Sequence, residues 1–211
     1  MPNRIPPVLL ALASVLAAFS AGAERADRAK PLTIEAEQSS RIDLLKQVTV
    51  FNGNVVATKG TLIIRAARIE ARETPDGYHT VVAFGSADRH ATFRQRRDAP
   101  DEWVEGDAER LEYDSKTDVI RFVSNASVRR LRGTQTADEI AGNLVTYNST
   151  TETFDVSGGG TPTASNPNQR VRATLTPREG SPAAAEARAA AASAAASAPL
   201  RTAPGLPEPK R

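Results

Sequence analysis

From Phe51 to Ala71 the chain reads FNGNVVATKGTLIIRAARIEA, with apolar side chains on every second residue of its second half. Leu62, Ile64 and Ala66 share one face while Ile63 and Arg65 take the other. That is the two-residue period of a strand; a helix needs spacings of three and four. Asn52-Gly53-Asn54 and Lys59-Gly60-Thr61 interrupt the run with residues that tolerate positive φ. The stretch therefore predicts two or three short antiparallel strands joined by turns.

The same pattern repeats. LEYDSKTDVIRFV from Leu111 lies over VTYNSTTETFDVS from Val145 with a shift of 34, aligning Tyr113 with Tyr147, Ser115 with Ser149, Thr117 with Thr151 and Asp118 with Glu152. Upstream, Phe51-Asn52-Gly53-Asn54, Phe84-Gly85-Ser86-Ala87 and Phe122-Val123-Ser124-Asn125 follow one another at spacings of 33 and 38. A period near 34 also belongs to a helical repeat, so the period alone does not choose. Alternation, β-branched residues and turn formers inside each unit choose strands. The expectation is an all-β domain of a dozen or more short strands, each of about five residues.

Both ends of the chain break this pattern. Arg4 precedes an apolar run from Val8 to Phe19, and Ala21-Gly22-Ala23 supplies small residues at A-x-A positions, so residues 1–23 read as a signal peptide cleaved before Glu24. The run is about 12 residues, against roughly 20 for a membrane-spanning helix, which leaves a retained anchor as the lesser alternative. The chain has no cysteine, which excludes a lipid on an N-terminal Cys and any disulfide. An exported protein of a bacterial periplasm is expected. Residues 178–211 carry AAAEARAAAASAAASA and prolines at 182, 199, 204, 207 and 209. So little bulky apolar surface predicts a disordered tail, with a transient helix over the alanines as the alternative.

Residues 24–177 remain, the size of one domain with a true core. They hold 21 Lys and Arg against 22 Asp and Glu, so the basic balance of the whole chain comes from its ends and argues against a nucleic-acid partner. Enzyme motifs are missing: no G-x-S-x-G, H-E-x-x-H or G-x-x-x-x-G-K-[ST] occurs, and His79 and His90 stand in polar, turn-like contexts. No cofactor or metal is expected. Glu105, Asp107 and Glu109 line one strand face, where a solvated surface is the preferred reading over a Ca²⁺ or acid–base site. Arg94, Arg96, Arg97, Arg129, Arg130 and Arg132 are read either as surface or as donors to phosphates.

Taken in order, Pro31-Leu32-Thr33-Ile34-Glu35, VTVFNGNVVATKGTLIIRA from Val48, GSADRHATF ending at Phe93, VEGDAERLEYD from Val104 and QRVRATLTP from Gln169 resemble the LptA/OstA-like family, the periplasmic lipopolysaccharide-transport bridge proteins of Gram-negative bacteria. The resemblance spans nearly all of Pro31–Pro177. Ser124, where the F-x-G-N pattern has glycine, and the long loop Ser157–Asn168 depart from it.

The resemblance implies a twisted, incompletely closed β-jellyroll with an apolar groove for lipid A, and lipid contact at Leu32, Ile34 and Phe93. Leu62 and Ile64 join these as candidates on the same face, with core packing the preferred reading for that pair. Edge strands at Leu32–Ala36 (Leu32, Ile34) and Arg170–Thr176 (Val171, Ala173, Leu175) are the expected joints of a head-to-tail homo-oligomer. The family adds an inner-membrane-anchored jellyroll partner and an outer-membrane translocon. It also places the energy source in a separate ATP-driven transporter, which makes this chain a passive conduit. A β-helical polysaccharide-active enzyme, or another jellyroll of the same pathway, is the alternative.

Overall fold

The computed structural model describes residues 26–160, 168 and 170–196. The expected cleavage site at Ala21, Ala23 and Glu24 and most of the Ser157–Asn168 loop lie outside these residues. The chain divides into two compact units, Met1–Thr174 and Leu175–Arg211.

Four long strands organise the first unit: β3 (Val48–Lys59), β4 (Leu62–Glu73), β9 (Val119–Arg132) and β10 (Gln135–Asn148). Each changes partner halfway. The second half of β4 pairs β5 (His79–Phe84), whereas its first half pairs β6 (Ala91–Arg96). Likewise β9 pairs β8 (Arg110–Asp114) through Val119–Val123 and β7 (Glu102–Ala108) through Ser127–Arg132. The sheet thus splits into two arms that share the long strands. One arm adds β2 (Arg41–Asp43) on β3 and β11 (Thr153–Ser157) on β10. The other adds β1 (Thr33–Glu35) on β3 and β12 (Arg172–Leu175) on β10. Every described register is antiparallel, which excludes the parallel ladder of a β-helix. The fold is all-β, a twisted and incompletely closed jellyroll.

The long strands bend at a waist between the arms, and here the structure corrects the turn assignment. Asn52-Gly53-Asn54 is not a turn between strands but a bulge inside β3, with φ of 75° at Gly53 and 42° at Asn54 and a register shift between Asn52 and Val55. Ser124 and Asn125 do the same in β9, at φ 65° and 53°, opposite a shift between Gly142 and Leu144. An extra residue in one strand sharpens its twist and bends it, so one 12- to 14-residue strand serves both arms. Lys59-Gly60-Thr61 does form the expected turn, with Gly60 at φ 62°.

The 34-residue repeat has a different origin: it marks two equivalent four-residue hairpin turns at the far end of one arm. Asp118 and Glu152, which the sequence aligned, both sit in the left-handed region, at φ 51° and 53°. In each turn the last strand residue accepts a backbone N–H, from Lys116 to Asp114 Oδ1 at 2.8 Å and from Thr151 to Asn148 Oδ1 at 3.1 Å. A third copy, Asp43–Gln47, has Gln47 at φ 52° and Lys46 N–H donating to Asp43 Oδ1 at 3.0 Å.

Burial follows the two-residue period. In one arm a row of paired residues crosses seven strands as Ile34, Ala57, Ile64, Phe93, Gly106, Val128 and Ile140. In the other, Phe51, Ile69, Ala83, Leu111, Phe122, Val145 and Val156 form the matching row. The rows meet in one core, where the Phe93 and Phe122 rings stand edge to face at 5.6 Å.

Within the tail read as disordered, with a helix as the alternative, the described residues of the second unit include a helix, α1 (Pro182–Ala196), over the alanine run. Ser181 caps it, accepting the Ala184 N–H at 3.2 Å, and Pro182 occupies the first turn, where its missing N–H costs nothing. Glu179 and Arg188 pair at 2.8 Å.

Candidate functional site

The five residues expected to face lipid do lie on one side of one arm, but at different depths. Leu62, Ile64 and Phe93 are 2%, 1% and 2% exposed and belong to the core. Ile64 and Phe93 are paired across β4 and β6. Leu32 and Ile34 are partly buried against that core at the edge, with Ile34 paired to Ala57. The apolar face is thus continuous from the β1 edge inward, and its centre is closed over by the opposite arm. Gly106 is what permits this closure: an added Cβ would stand 2.5 Å from Phe122 Cε1 and 2.9 Å from Val128 Cγ2.

At the expected joints, β1 pairs β3 alone and β12 pairs β10 alone among the described residues, so each presents an outer edge without a strand. Val171 and Leu175 are 46% and 75% exposed, and Ala173 is exposed with them. A cavity of about 860 Å³ lies beside this edge, lined among others by His90, Asp107, Ser127, Glu139, Arg170 and Val171. A second apolar surface went unread in the sequence: Ile42, Leu44 and Leu45 project from the Asp43–Gln47 hairpin, the last two 84% and 99% exposed.

The charged clusters resolve into each other. Glu105 meets Arg94 at 2.5 Å and Arg129 at 3.4 Å, Asp107 meets His90 at 2.8 Å, and Glu109 accepts from Asn125. Arg130 and Arg132 engage Glu102, and Arg130 also engages Asp138. Five of the six arginines weighed as phosphate donors, all but Arg96, are therefore already paired with carboxylates. No group of three or more potential metal ligands occurs among the described residues.

Polar groups also close the core at the arm ends remote from the waist. Lys59, at the end of β3 in one arm, reaches Asp118 Oδ1 of the other at 3.9 Å and Tyr113 Oη at 3.4 Å. Tyr113 donates to Asp118 Oδ1 at 3.0 Å, and burial together with the Asp118 charge pushes its phenol far above the ordinary range. Arg28 Nε stands 2.6 Å from Asp118 Oδ2, a charge contact without hydrogen-bond alignment. The adjacent Asp27 is buried in the opposite arm, accepting from Thr61 N–H at 2.9 Å and from Gln95 Nε2 at 3.3 Å. Arg97, beyond β6, pairs with both Glu102 and Glu152. Burial disfavours the Arg97 charge, yet Glu152 and Glu102 outweigh it and hold the guanidinium above its ordinary value.

Residues 33–153 match the model of the family described as LptA/(LptD N-terminal domain) LPS transport protein. The chain is 29% identical over 175 residues to the lipopolysaccharide export system protein LptA of Haemophilus influenzae, covering 82% of this chain and 92% of that protein. It is 31% identical over 146 residues to LptA of Escherichia coli K12, covering 69% and 75%. The crystal structure of LptH, the LptA homologous periplasmic component from Pseudomonas aeruginosa, superposes with a TM-score of 0.60 at 20% identity over 72% of this chain and 99% of that one, a likeness of fold. The chain belongs to the LptA/LptD N-terminal domain family of lipopolysaccharide transport proteins and is a periplasmic, non-enzymatic member of it.

Proposed function

We propose that this chain carries lipopolysaccharide across the periplasm by sheltering lipid A acyl chains on the inner face of the jellyroll, and that copies join head to tail into a bridge. One observation carries the reading: the apolar row Ile34–Ala57–Ile64–Phe93–Gly106–Val128–Ile140 runs without a polar residue from the arm's first strand to β10, and strands with open outer edges flank it at both ends. A strand added at either end continues the same inward face, because side chains alternate with a fixed period. Leaving an acyl chain of about a dozen carbons in water costs on the order of 10 kcal/mol at roughly 0.8 kcal/mol per methylene. A shared apolar face removes that cost along the whole rod. Head-to-tail contact is heterologous, so it propagates instead of closing into a dimer. At the two ends of such a rod the same edges meet an inner-membrane-anchored jellyroll partner and the outer-membrane translocon.

Ile34 tests the face. It is half-buried at the edge, so Ile34→Asp leaves the core intact, whereas Phe93→Asp would place a charge at a fully buried site and unfold the domain. Lipopolysaccharide binding by folded Ile34→Asp is expected to fall at least tenfold, from a desolvation cost of several kcal/mol. Equal binding by the folded variant would remove Ile34 from the site. Val171 immediately precedes β12, and Val171→Pro tests the joint by removing an N–H and fixing φ where the chain enters the C-terminal edge. Light scattering should show monomers where the parent forms oligomers that grow with concentration. A parent that stays monomeric and ignores its jellyroll partners would end the bridge reading.

A further inference from the structure

The residues that would shelter lipid are closed off in the structure by apolar rows that meet in one core, and the outer rim of that closure is ionic. Ile64 and Phe93 are almost fully buried, so an acyl chain reaches them only if the two arms separate at the ends remote from the waist. Those ends meet through six charged residues: Asp118, with Lys59 and Arg28; Glu152, with Arg97; and Asp27, which fixes the Arg28 segment to the opposite arm through Thr61. The two acids occupy the equivalent left-handed position of the two repeated hairpins, so one element of the repeat supplies the acid of both ion pairs across the seam.

We propose that this seam is a lateral gate, opening to admit acyl chains to the groove and closing over the core when none is bound. The proposal rests on the carrier reading above. Charge makes a suitable latch. Lys59–Asp118 is buried on both sides, and such a pair recovers in mutual attraction roughly what it loses in desolvation, while the partly exposed Arg28–Asp118 and Arg97–Glu152 contacts are worth little each, so together they fix a geometry at small net stability. An apolar rim would add its own burial energy to that of separating the rows behind it. Arg28 and Asp27 act as a strap across the seam, since neighbouring residues are anchored to opposite arms.

Two measurements test it. The first needs no lipid: hydrogen exchange of the Asp118→Asn/Glu152→Gln double variant against the parent. Exchange should quicken on the order of tenfold in the turns at 59–61, 97–101, 115–118 and 149–152 while the waist strands keep their protection. Unchanged exchange, or acceleration spread evenly over the domain, would overturn the gate. The second uses the absence of native cysteine. In Arg97→Cys/Glu152→Cys, a short reducible bis-maleimide should block uptake of purified lipopolysaccharide, and reduction of the linker should restore it. Equal uptake by the locked protein would overturn the gate. Failure of the unlocked protein to take up lipopolysaccharide would instead overturn the carrier reading, and the exchange experiment would then decide alone whether the seam opens.

Discussion

Gly106 is the residue on which closure of the interior depends, and Gly106→Ala measures that dependence. Its φ lies outside the left-handed region, so space is the constraint and not backbone conformation. The new Cβ would meet Phe122 at 2.5 and 2.9 Å and Val128 at 2.9 Å, all closer than carbon atoms approach in a relaxed core. Neither neighbour moves freely, since Phe122 is fully buried and already packed against Phe93. Overpacking of this kind costs about 1–3 kcal/mol. Alanine regains about 0.5–1 kcal/mol of the conformational entropy that glycine loses in a strand. The net loss therefore lies between about zero and 2.5 kcal/mol, or up to about 10 °C in thermal midpoint for a domain of this size. Urea denaturation gives the free energy and circular dichroism the midpoint. Phe122→Leu removes the ring edge, so the double variant should be more stable than the two single losses added together. A Gly106→Ala midpoint above the parent's, or strict additivity with Phe122→Leu, would refute the close approach of the two rows.

Ser124→Gly should stabilise the domain by about 1 kcal/mol, because Ser124 holds a left-handed φ of 65° that glycine adopts without a Cβ clash; a destabilised variant in urea titration would show that the serine is favoured there. Asp76 accepts hydrogen bonds from Lys116 and Thr74, which lower its pKa from 3.8 to about 2. The folded state thus favours the carboxylate: that stability is present above about pH 4 and is lost as pH falls through 2. Carbon-detected titration should place the Asp76 midpoint near 2, and Lys116→Met should return it towards 3.8; a midpoint indifferent to Lys116 would break the attribution.

The strand period was fully legible. Leu62, Ile64 and Ala66 are buried and Arg65 is exposed, as alternation requires. Gly60 makes its turn for the reason given by its residue type. What local chemistry left ambiguous was the role of positive φ. Asn52-Gly53-Asn54 satisfies a turn and a bulge equally well, and only the register with β4 separates them. The Asp43–Gln47 hairpin was missed because Leu44 and Leu45 mask the polar spacing that Asp114–Asp118 and Asn148–Glu152 display. The α1 start is written in Ser181-Pro182, a cap followed by a residue suited to the first turn, and it supports the helix that stood as the alternative to disorder over the alanines. The seam was beyond reach for another reason. Lys59 and Asp118, or Arg97 and Glu152, are 59 and 55 residues apart, and no spacing rule joins them until the arms are folded together.

The filled interior also bears on how a carrier of this kind would hand on its load. Under the proposed role, an acyl chain entering the groove does not occupy empty space: it displaces contacts such as Phe93 on Phe122, which the protein makes with itself. Its net affinity is the difference between sheltering about a dozen methylenes, on the order of 10 kcal/mol, and separating the apolar rows that met in its absence. The second term grows with the first, because both scale with the same buried face. Binding is therefore much weaker than the burial energy of the lipid alone suggests, and release is correspondingly fast. In a rod of identical subunits each step exchanges one such balance for an equal one, and equal affinities shift no equilibrium. Direction must then come from loading at one end and removal at the other. A chain whose sequence holds no nucleotide-binding motif can serve as the conduit between them.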